Sequence, residues 1–310
     1  MFYRGSFSNL LSVRNFSLLF IMIFMLIIFS CQKESEPASA SEGAPLIENV
    51  PSADGVVIKY QVQGTGEPAL VFVHGWSCDR SYWQTQIEYF SKKYRVVTVD
   101  LAGHGESGME RKDYTFSTYG EDVSAVIRKL HLKKVILIGH SMGGVVILEA
   151  ARLVPGSVIG LVGVDTLHDF EEKFTDEQRE QFMKQFTANF REATDKFVRS
   201  MSPATVDPAL VEKIAADMSS APPEVAIDTL ENLFKYDLLK ILPEIKIPII
   251  CINSDFWPTN VEINRKHNPG FEVMLMPGTG HFVQLEDPRK FNELLDQEIH
   301  RIISSDYKKK

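Results

Sequence analysis

The stretch IGHSMGG, from Ile138 to Gly144, places Ser141 in a glycine-rich turn. The apolar run before it, Val135 to Ile138, predicts a buried strand, and Met142 to Leu153 after it predicts a helix. A G-x-S-x-G turn between a strand and a helix exposes the serine hydroxyl, and the helix N-terminus favours a developing anion. Glycine is needed at both flanks because side chains there would collide with neighbouring backbone. We therefore predict that Ser141 is a nucleophile.

A serine hydroxyl needs a base, and His281 is the best-placed histidine for that role. It lies in the loop PGTGHF, just past the last predicted strand. In open α/β sheets, ligands bind at loops that follow the carboxyl ends of the parallel strands. His140 adjoins Ser141 and is expected to point elsewhere, while His74 and His104 are expected to fix turns.

Two aspartates could orient the imidazole of His281. Asp255 follows the predicted strand that ends at Ile252, and the chain order serine, aspartate, histidine is the usual one for such an elbow. Asp165 follows an earlier strand and could orient the same histidine from a neighbouring strand end. We prefer Asp255 on chain order and keep Asp165 as the alternative acid.

An oxyanion hole requires two preorganised N–H donors. The elbow supplies the N–H of Met142, and the loop after the strand Val71–Val73 supplies a second one, most naturally from Trp76.

Strands alternate with helices through the first half of the chain and again near its end. Continuous apolar strands of this kind indicate an α/β fold, with a mostly parallel central sheet covered by helices on both faces. The predicted strands are Val56–Val62, Ala69–Val73, Tyr94–Val99, Val135–Ile138, Val158–Val164, Ile247–Ile252 and Phe271–Met276.

The alternation stops at residues 166–242, where the sequence is helical and amphipathic. This segment is too long for an unstructured loop in a compact domain. We predict a helical cap here, inserted into a core formed by residues 49–165 and 243–304.

Aromatic residues of the cap and core are candidates for lining a roofed pocket. We expect most cap aromatics to form the core of the cap, and Trp76, Phe256 and Trp257 to add aromatic walls to the pocket. The cap aromatics in question are Phe182, Phe186, Phe190 and Phe197.

Four ordered motifs resemble the α/β-hydrolase superfamily, within its serine esterase and haloperoxidase-like branch. They are HGW with Asp79 and Trp83 after it, DLAGHGES, GHSMGG and GTGHF. The resemblance covers about residues 55–300 and implies an α/β-hydrolase fold.

The same resemblance implies roles for the residues above. Ser141, His281 and Asp255 would be nucleophile, base and acid, and Trp76 and Met142 would be the oxyanion donors. Many members carry a glycine and a slightly longer spacing before the acid, whereas this chain reads NSD up to Asp255.

The implied activity is hydrolysis of small or medium carboxylic esters or lactones by two-step acyl transfer, with no metal or organic cofactor. Serine at position 141 argues against epoxide hydrolases and haloalkane dehalogenases, which use aspartate there. The alternatives are a carbon–carbon bond or thioester hydrolase of the same fold, and a weakly catalytic ligand-binding lipoprotein.

The charge of the chain argues against a nucleic-acid partner. The 310 residues carry a formal net charge of -8, and no stripe of Lys and Arg is available to displace counterions from phosphates. We expect a small-molecule ester as the partner of the site, and residues 305–310 to form a solvated tail. Nothing in the sequence indicates an oligomeric state.

The N-terminal residues follow the order of a secretory signal, with positive charges first and an apolar run after them. Arg4 and Arg14 precede the unbroken apolar run Leu18–Phe29, which is short for a membrane span. The run leads into IFSC, which resembles the lipobox of bacterial lipoproteins and implies a fatty acylated, palmitate-bearing Cys31. We predict a signal peptide at residues 1–30, with an uncleaved membrane anchor as the alternative.

Residues 31–48 are predicted to be a flexible tether, because Ser, Ala, Glu and Pro cannot offset ordering entropy by burial. The expected location is the bacterial cell envelope, lipid-anchored in the outer membrane and facing the periplasm or the outside. The other cysteines, Cys78 and Cys251, are expected to be free thiols.

Overall fold

The computed structural model describes residues 44–304. The strands in this part of the chain are β1 (Leu46–Pro51), β2 (Val57–Gln63), β3 (Ala69–Val73), β4 (Val96–Val99), β5 (Val135–His140), β6 (Val158–Val164), β7 (Ile249–Ser254) and β8 (Glu272–Met276). They form one sheet in the order β1-β2-β4-β3-β5-β6-β7-β8. The two pairs that involve β2 are antiparallel and the other neighbours are parallel, so the predicted mostly parallel sheet is confirmed.

Ten α-helices occur within residues 44–304, and several of them cover the two faces of this sheet. They are α1 (Gln84–Phe90), α2 (Phe116–Lys129), α3 (Met142–Leu153), α4 (Asp176–Ala188), α5 (Phe190–Ser200), α6 (Pro208–Met218), α7 (Pro223–Lys235), α8 (Val261–His267), α9 (Val283–Glu286) and α10 (Pro288–Ser304). Short 3-10 turns occur at Arg80–Trp83, Leu238–Lys240 and Leu242–Glu244.

Burial on both faces of the sheet explains why its central strands are apolar at consecutive positions. In β3, Leu70 and Phe72 pack into one hydrophobic core with side chains of α1 and α10. Val71 and Val73 pack into the other core with α2, α3 and the cap. Successive side chains of a strand point to opposite faces, so a strand covered on both sides is apolar at every position.

Helices α4 to α7 lie between β6 and β7, where the cap was predicted. Thr175 begins α4 with a reciprocal capping box to Gln178, which satisfies N–H groups that a helix start leaves unpaired. Hydrogen bonds fasten the cap to the core at separate points. The Tyr82 hydroxyl donates to Asp217 over 2.7 Å, and Asp228 accepts from the Tyr114 N–H over 2.8 Å.

The structure corrects the predicted end of the tether. Leu46–Pro51 forms the edge strand β1, which pairs antiparallel with β2, although the tether was predicted to continue to residue 48. Leu46 and Ile47 are exposed, so the strand carries no continuous apolar pattern. Its conformation depends on the hydrogen-bond ladder with β2, which sequence periodicity does not report.

The predicted signal peptide, Cys31, most of the tether and the C-terminal tail lie outside residues 44–304. Within that range, no helix combines the length and the apolar composition needed to cross a membrane. Cys78 and Cys251 are free thiols, as predicted, and both are buried.

Candidate active site

Ser141 occupies the turn between β5 and α3 in a conformation that only a constrained backbone supports. Its φ is 52° and its ψ is -119°, a region that non-glycine residues rarely adopt. The turn is held by three hydrogen bonds: the Ser141 N–H donates to the Val164 carbonyl, and the Ser141 carbonyl accepts from the Gly144 N–H and the Thr166 hydroxyl. The serine is therefore fixed at the carboxyl edge of the sheet.

The flanking glycines are required by close backbone approach. A Cβ at Gly139 would lie 2.2 Å from the Gly143 carbonyl oxygen. A Cβ at Gly143 would lie 2.7 Å from the carbonyl oxygens of Val73 and His74. A side chain at either position would therefore collide with neighbouring backbone, as the G-x-S-x-G spacing predicts.

His281 follows β8 and is held on three sides. Its Nδ1 lies 2.7 Å from Asp165 Oδ2, its N–H donates to the Met201 carbonyl, and its own carbonyl lies 2.9 Å from His140 Nε2. With Nδ1–H donated to a carboxylate, the lone pair resides on Nε2. The ring has the tautomer and the support that a general base needs.

The structure brings Asp165 to His281, and it does not bring Asp255 there. Asp255 is exposed, and its Oδ1 accepts the N–H of Gly278 over 2.9 Å. The preference for Asp255 as the partner of His281 is therefore corrected in favour of the alternative, Asp165. Asp255 stabilises the turn that begins the His281 loop.

The end of β7 lies against Asp165, and Asp255 comes only after it. β7 extends to Ser254, whose N–H and hydroxyl both donate to Asp165 Oδ1 over 2.8 Å. Ser254 is the last residue of β7, and Asp255, which follows the strand, is exposed and binds the Gly278 N–H instead of the imidazole. Asn253 supports the same region through a buried pair of bonds to the backbone N–H and carbonyl of Thr166.

Asp165 is a fully buried carboxylate in a histidine-rich setting. Its side chain has 0% exposure, and burial alone would favour the neutral acid. The imidazoles of His168 and His281 outweigh that effect and hold the pKa of Asp165 well below its usual range. His168 Nε2 lies 3.7 Å from Asp165 Oδ1. The carboxylate is ionised at neutral pH.

The predicted oxyanion donors lie beside the nucleophile. Met142 is the first residue of α3, where N–H groups have no intrahelical acceptor. A Cβ at Gly75, next to Trp76, would lie 3.3 Å from Ser141 Cβ, so the HGW loop contacts the elbow directly. Met142, Trp76 and Ser141 line one cavity.

The remaining histidines near the site have structural contacts. Burial lowers the pKa of His140 to about 3, so its ring is neutral when it binds the His281 carbonyl. His74 Nε2 accepts the N–H of Leu101, and His104 Nδ1 lies 3.0 Å from the Ala102 carbonyl. His74 and His104 fix turns, as predicted.

A cavity of about 330 Å³ lies between the elbow and the cap. Apolar side chains from the cap form a large part of its wall, among them Phe197, Leu230 and Phe234. Trp257 lines it as expected, whereas Phe256 is exposed and does not. Within residues 44–304, no cluster of three or more His, Cys, Asp or Glu side chains is arranged to hold a metal ion.

A family comparison agrees with this geometry. The profile of the alpha/beta hydrolase family matches residues 70–294, more than half of the chain. The chain belongs to the alpha/beta hydrolase family.

Individual relatives of this alpha/beta hydrolase are distant. It is 24% identical to the Karrikin insensitive 2 receptor CA of Petunia hybrida over 79% of this chain and 96% of the receptor. It is 26% identical to 3-oxoadipate enol-lactonase 2 of Acinetobacter baylyi over 81% of this chain and 96% of that enzyme. Among solved structures, the esterase EaEST from Exiguobacterium antarcticum has a TM-score of 0.74 at 20% identity, covering 82% of this chain and 100% of that chain. At this identity the structural likeness shows the fold.

Sequence reasoning about this alpha/beta hydrolase missed several residues that hold the site. Ser254 and His168 lie beside Asp165, and Asn253 binds the backbone of the next residue, Thr166. Glu286 accepts the N–H of Phe282 beside the base. Only Ser254 and Asn253 had a sequence signal, since both lie in the NSD stretch that ends at Asp255.

Proposed function

We propose that this alpha/beta hydrolase is a serine hydrolase that cleaves small or medium carboxylic esters or lactones through an acyl-enzyme. One observation carries the proposal: His281, fixed by the buried carboxylate of Asp165, lines the same cavity as the strained elbow residue Ser141. The enol-lactonase of Acinetobacter baylyi, a distant relative, supports the same class of reaction.

In the first step, His281 Nε2 takes the proton of Ser141 Oγ while Oγ attacks the substrate carbonyl carbon. The carbonyl oxygen becomes an anion that accepts hydrogen bonds from the N–H groups of Met142 and Trp76. Asp165 stabilises the imidazolium that forms. As the tetrahedral intermediate collapses, the ester C–O bond breaks and the alcohol leaves with the proton from His281.

The second step repeats this chemistry with water. His281 takes a proton from water as the water oxygen attacks the acyl carbon bound to Ser141. The new intermediate collapses, the acid is released, and the proton returns to Ser141 Oγ.

Fluorophosphonate labelling of the folded protein tests the proposal. We expect an adduct on Ser141, detected by peptide mass spectrometry, and no adduct after heat denaturation. Ligand binding to a folded protein that forms no adduct would instead support the ligand-binding alternative. A hydrolysis screen over aryl esters, alkyl esters, lactones and thioesters then identifies the reactive bond.

The cavity predicts a limit on acyl chain length. A mostly apolar cavity of about 330 Å³ favours a compact apolar acyl or aryl group over a sugar polymer or a peptide, many of whose buried polar groups would lack partners. In a series from acetyl to palmitoyl esters, we expect kcat/KM to fall by at least about tenfold once the chain outgrows the cavity. Undiminished hydrolysis of long-chain emulsified lipids would show that the cap does not restrict the site.

We also propose that the protein is anchored to the bacterial envelope by a lipid on Cys31, which the lipobox-like IFSC supports. Replacing Cys31 with alanine should abolish incorporation of a fatty acid analogue. The variant should also be released from the membrane or stall during export, as measured by fractionation. The matched variant Cys251→Ala should remain lipidated. Membrane retention of Cys31→Ala, with no fatty acid on the wild type, would support an uncleaved anchor instead.

A further inference from the structure

The indole of Trp76 is embedded in the cap. Trp76 is 4% exposed, and the rings of Phe186, Phe190 and Phe197 meet it edge-on at centroid distances of 5.6, 6.0 and 6.1 Å. Its Nε1–H donates to the Ala226 carbonyl in α7 over 2.7 Å. Three cap helices, α4, α5 and α7, therefore contact this one core side chain.

The backbone around Trp76 is equally constrained. Before it, a Cβ at Gly75 would lie 2.8 Å from His140 Nδ1, so the chain runs directly against the elbow. After it, Ser77 has a φ of 55°, and the Cys78 thiol donates to the Trp76 carbonyl over 3.3 Å. The backbone of Trp76 therefore lies between the elbow on one side and the Cys78 thiol on the other.

We propose that the cap positions the oxyanion N–H of Trp76 through its indole ring. The inference rests on the proposed function, because it concerns the anion that forms during acyl transfer. The backbone N–H of Trp76 then binds the developing oxyanion. The packing of its indole against the cap fixes the position of that N–H.

The expected effect follows from how sharply hydrogen bonds depend on geometry. Removing an oxyanion donor costs about a hundredfold to a thousandfold in kcat, and a 1 Å misplacement caused by a distant substitution can cost about a hundredfold. An indole that loses part of its packing can tilt, and the adjoining N–H tilts with it. Ground-state binding in the apolar cavity depends much less on this N–H, so KM should change little.

Phe186 is the residue with which to test this coupling. It is 1% exposed, contacts the indole edge-on, and is not among the residues that line the cavity. We expect Phe186→Leu to lower kcat at least about tenfold, with KM within about twofold of wild type. The affinity for an arylboronic acid, whose serine adduct places an oxygen in the oxyanion hole, should fall in parallel with kcat. Trp76→Phe, which loses the bond to Ala226, should shift the same two quantities.

Phe90→Leu provides the matched control. Phe90 is also fully buried, but it packs against Phe72 and Tyr94 in the core on the other face of the sheet. Its substitution should lower thermal stability while leaving kcat and boronate affinity unchanged.

The outcomes separate this inference from the proposed function. If the wild type neither hydrolyses any ester nor reacts with fluorophosphonate, both fail together. If the wild type is active and Phe186→Leu raises KM alone, or leaves kcat and boronate affinity at wild-type values, the coupling is refuted and Trp76 only anchors the cap.

Discussion

Replacing Ser141 with alanine should lower ester hydrolysis by more than about a thousandfold while leaving the fold intact. The hydroxyl is the only atom group lost, and the elbow backbone is held by bonds of the Ser141 N–H and carbonyl, which alanine retains. Steady-state hydrolysis of an aryl ester and thermal unfolding measure the two expectations. His281→Ala should cause a loss of the same order, because nucleophile and base act as a unit.

A second buried serine serves as the control for this substitution. Ser124 in α2 has a buried hydroxyl without a hydrogen-bond partner, and it does not line the cavity. Ser124→Ala should retain wild-type turnover. Retention of more than about a thousandth of wild-type turnover by Ser141→Ala would show that another group is the nucleophile.

Replacing Asp165 with asparagine should reduce kcat by about ten-thousandfold. An amide N–H facing His281 Nδ1 would favour the tautomer with the proton on Nε2, which cannot accept the proton of Ser141. The imidazolium would also lose the ionised carboxylate that stabilises it. The pH–rate profile and kcat of the variant measure both consequences.

Asp255→Asn is the matched comparison, because it makes the same chemical change at an equivalent position. Asp255 directly follows β7, as Asp165 directly follows β6. Asp255 binds the Gly278 N–H at the surface, and an asparagine oxygen can accept that bond. Its kcat should stay within a few-fold of wild type. The reverse ranking of the two variants would return the role of acid to Asp255.

The sequence by itself determined the features that depend on local pattern. Ser141 between two glycines, after an apolar strand and before a helix, defines an elbow whose geometry follows from backbone sterics. His281 in a loop past the last strand follows from where parallel strands end. The strands were visible because β3 to β7 are covered on both faces, which requires apolar residues at consecutive positions.

The tertiary structure alone decided which acid meets His281, where the edge strand β1 lies, and what surrounds Trp76. Asp165 and Asp255 both follow strands, but the fold brings His281 to Asp165, whereas Asp255 accepts the N–H of Gly278 at the surface. β1 is stable through hydrogen bonds to β2 and not through its own apolar pattern. The partners of Trp76 come from helices more than a hundred residues away along the chain. Such contacts depend on register and on packing between distant segments, which no local run of residues encodes.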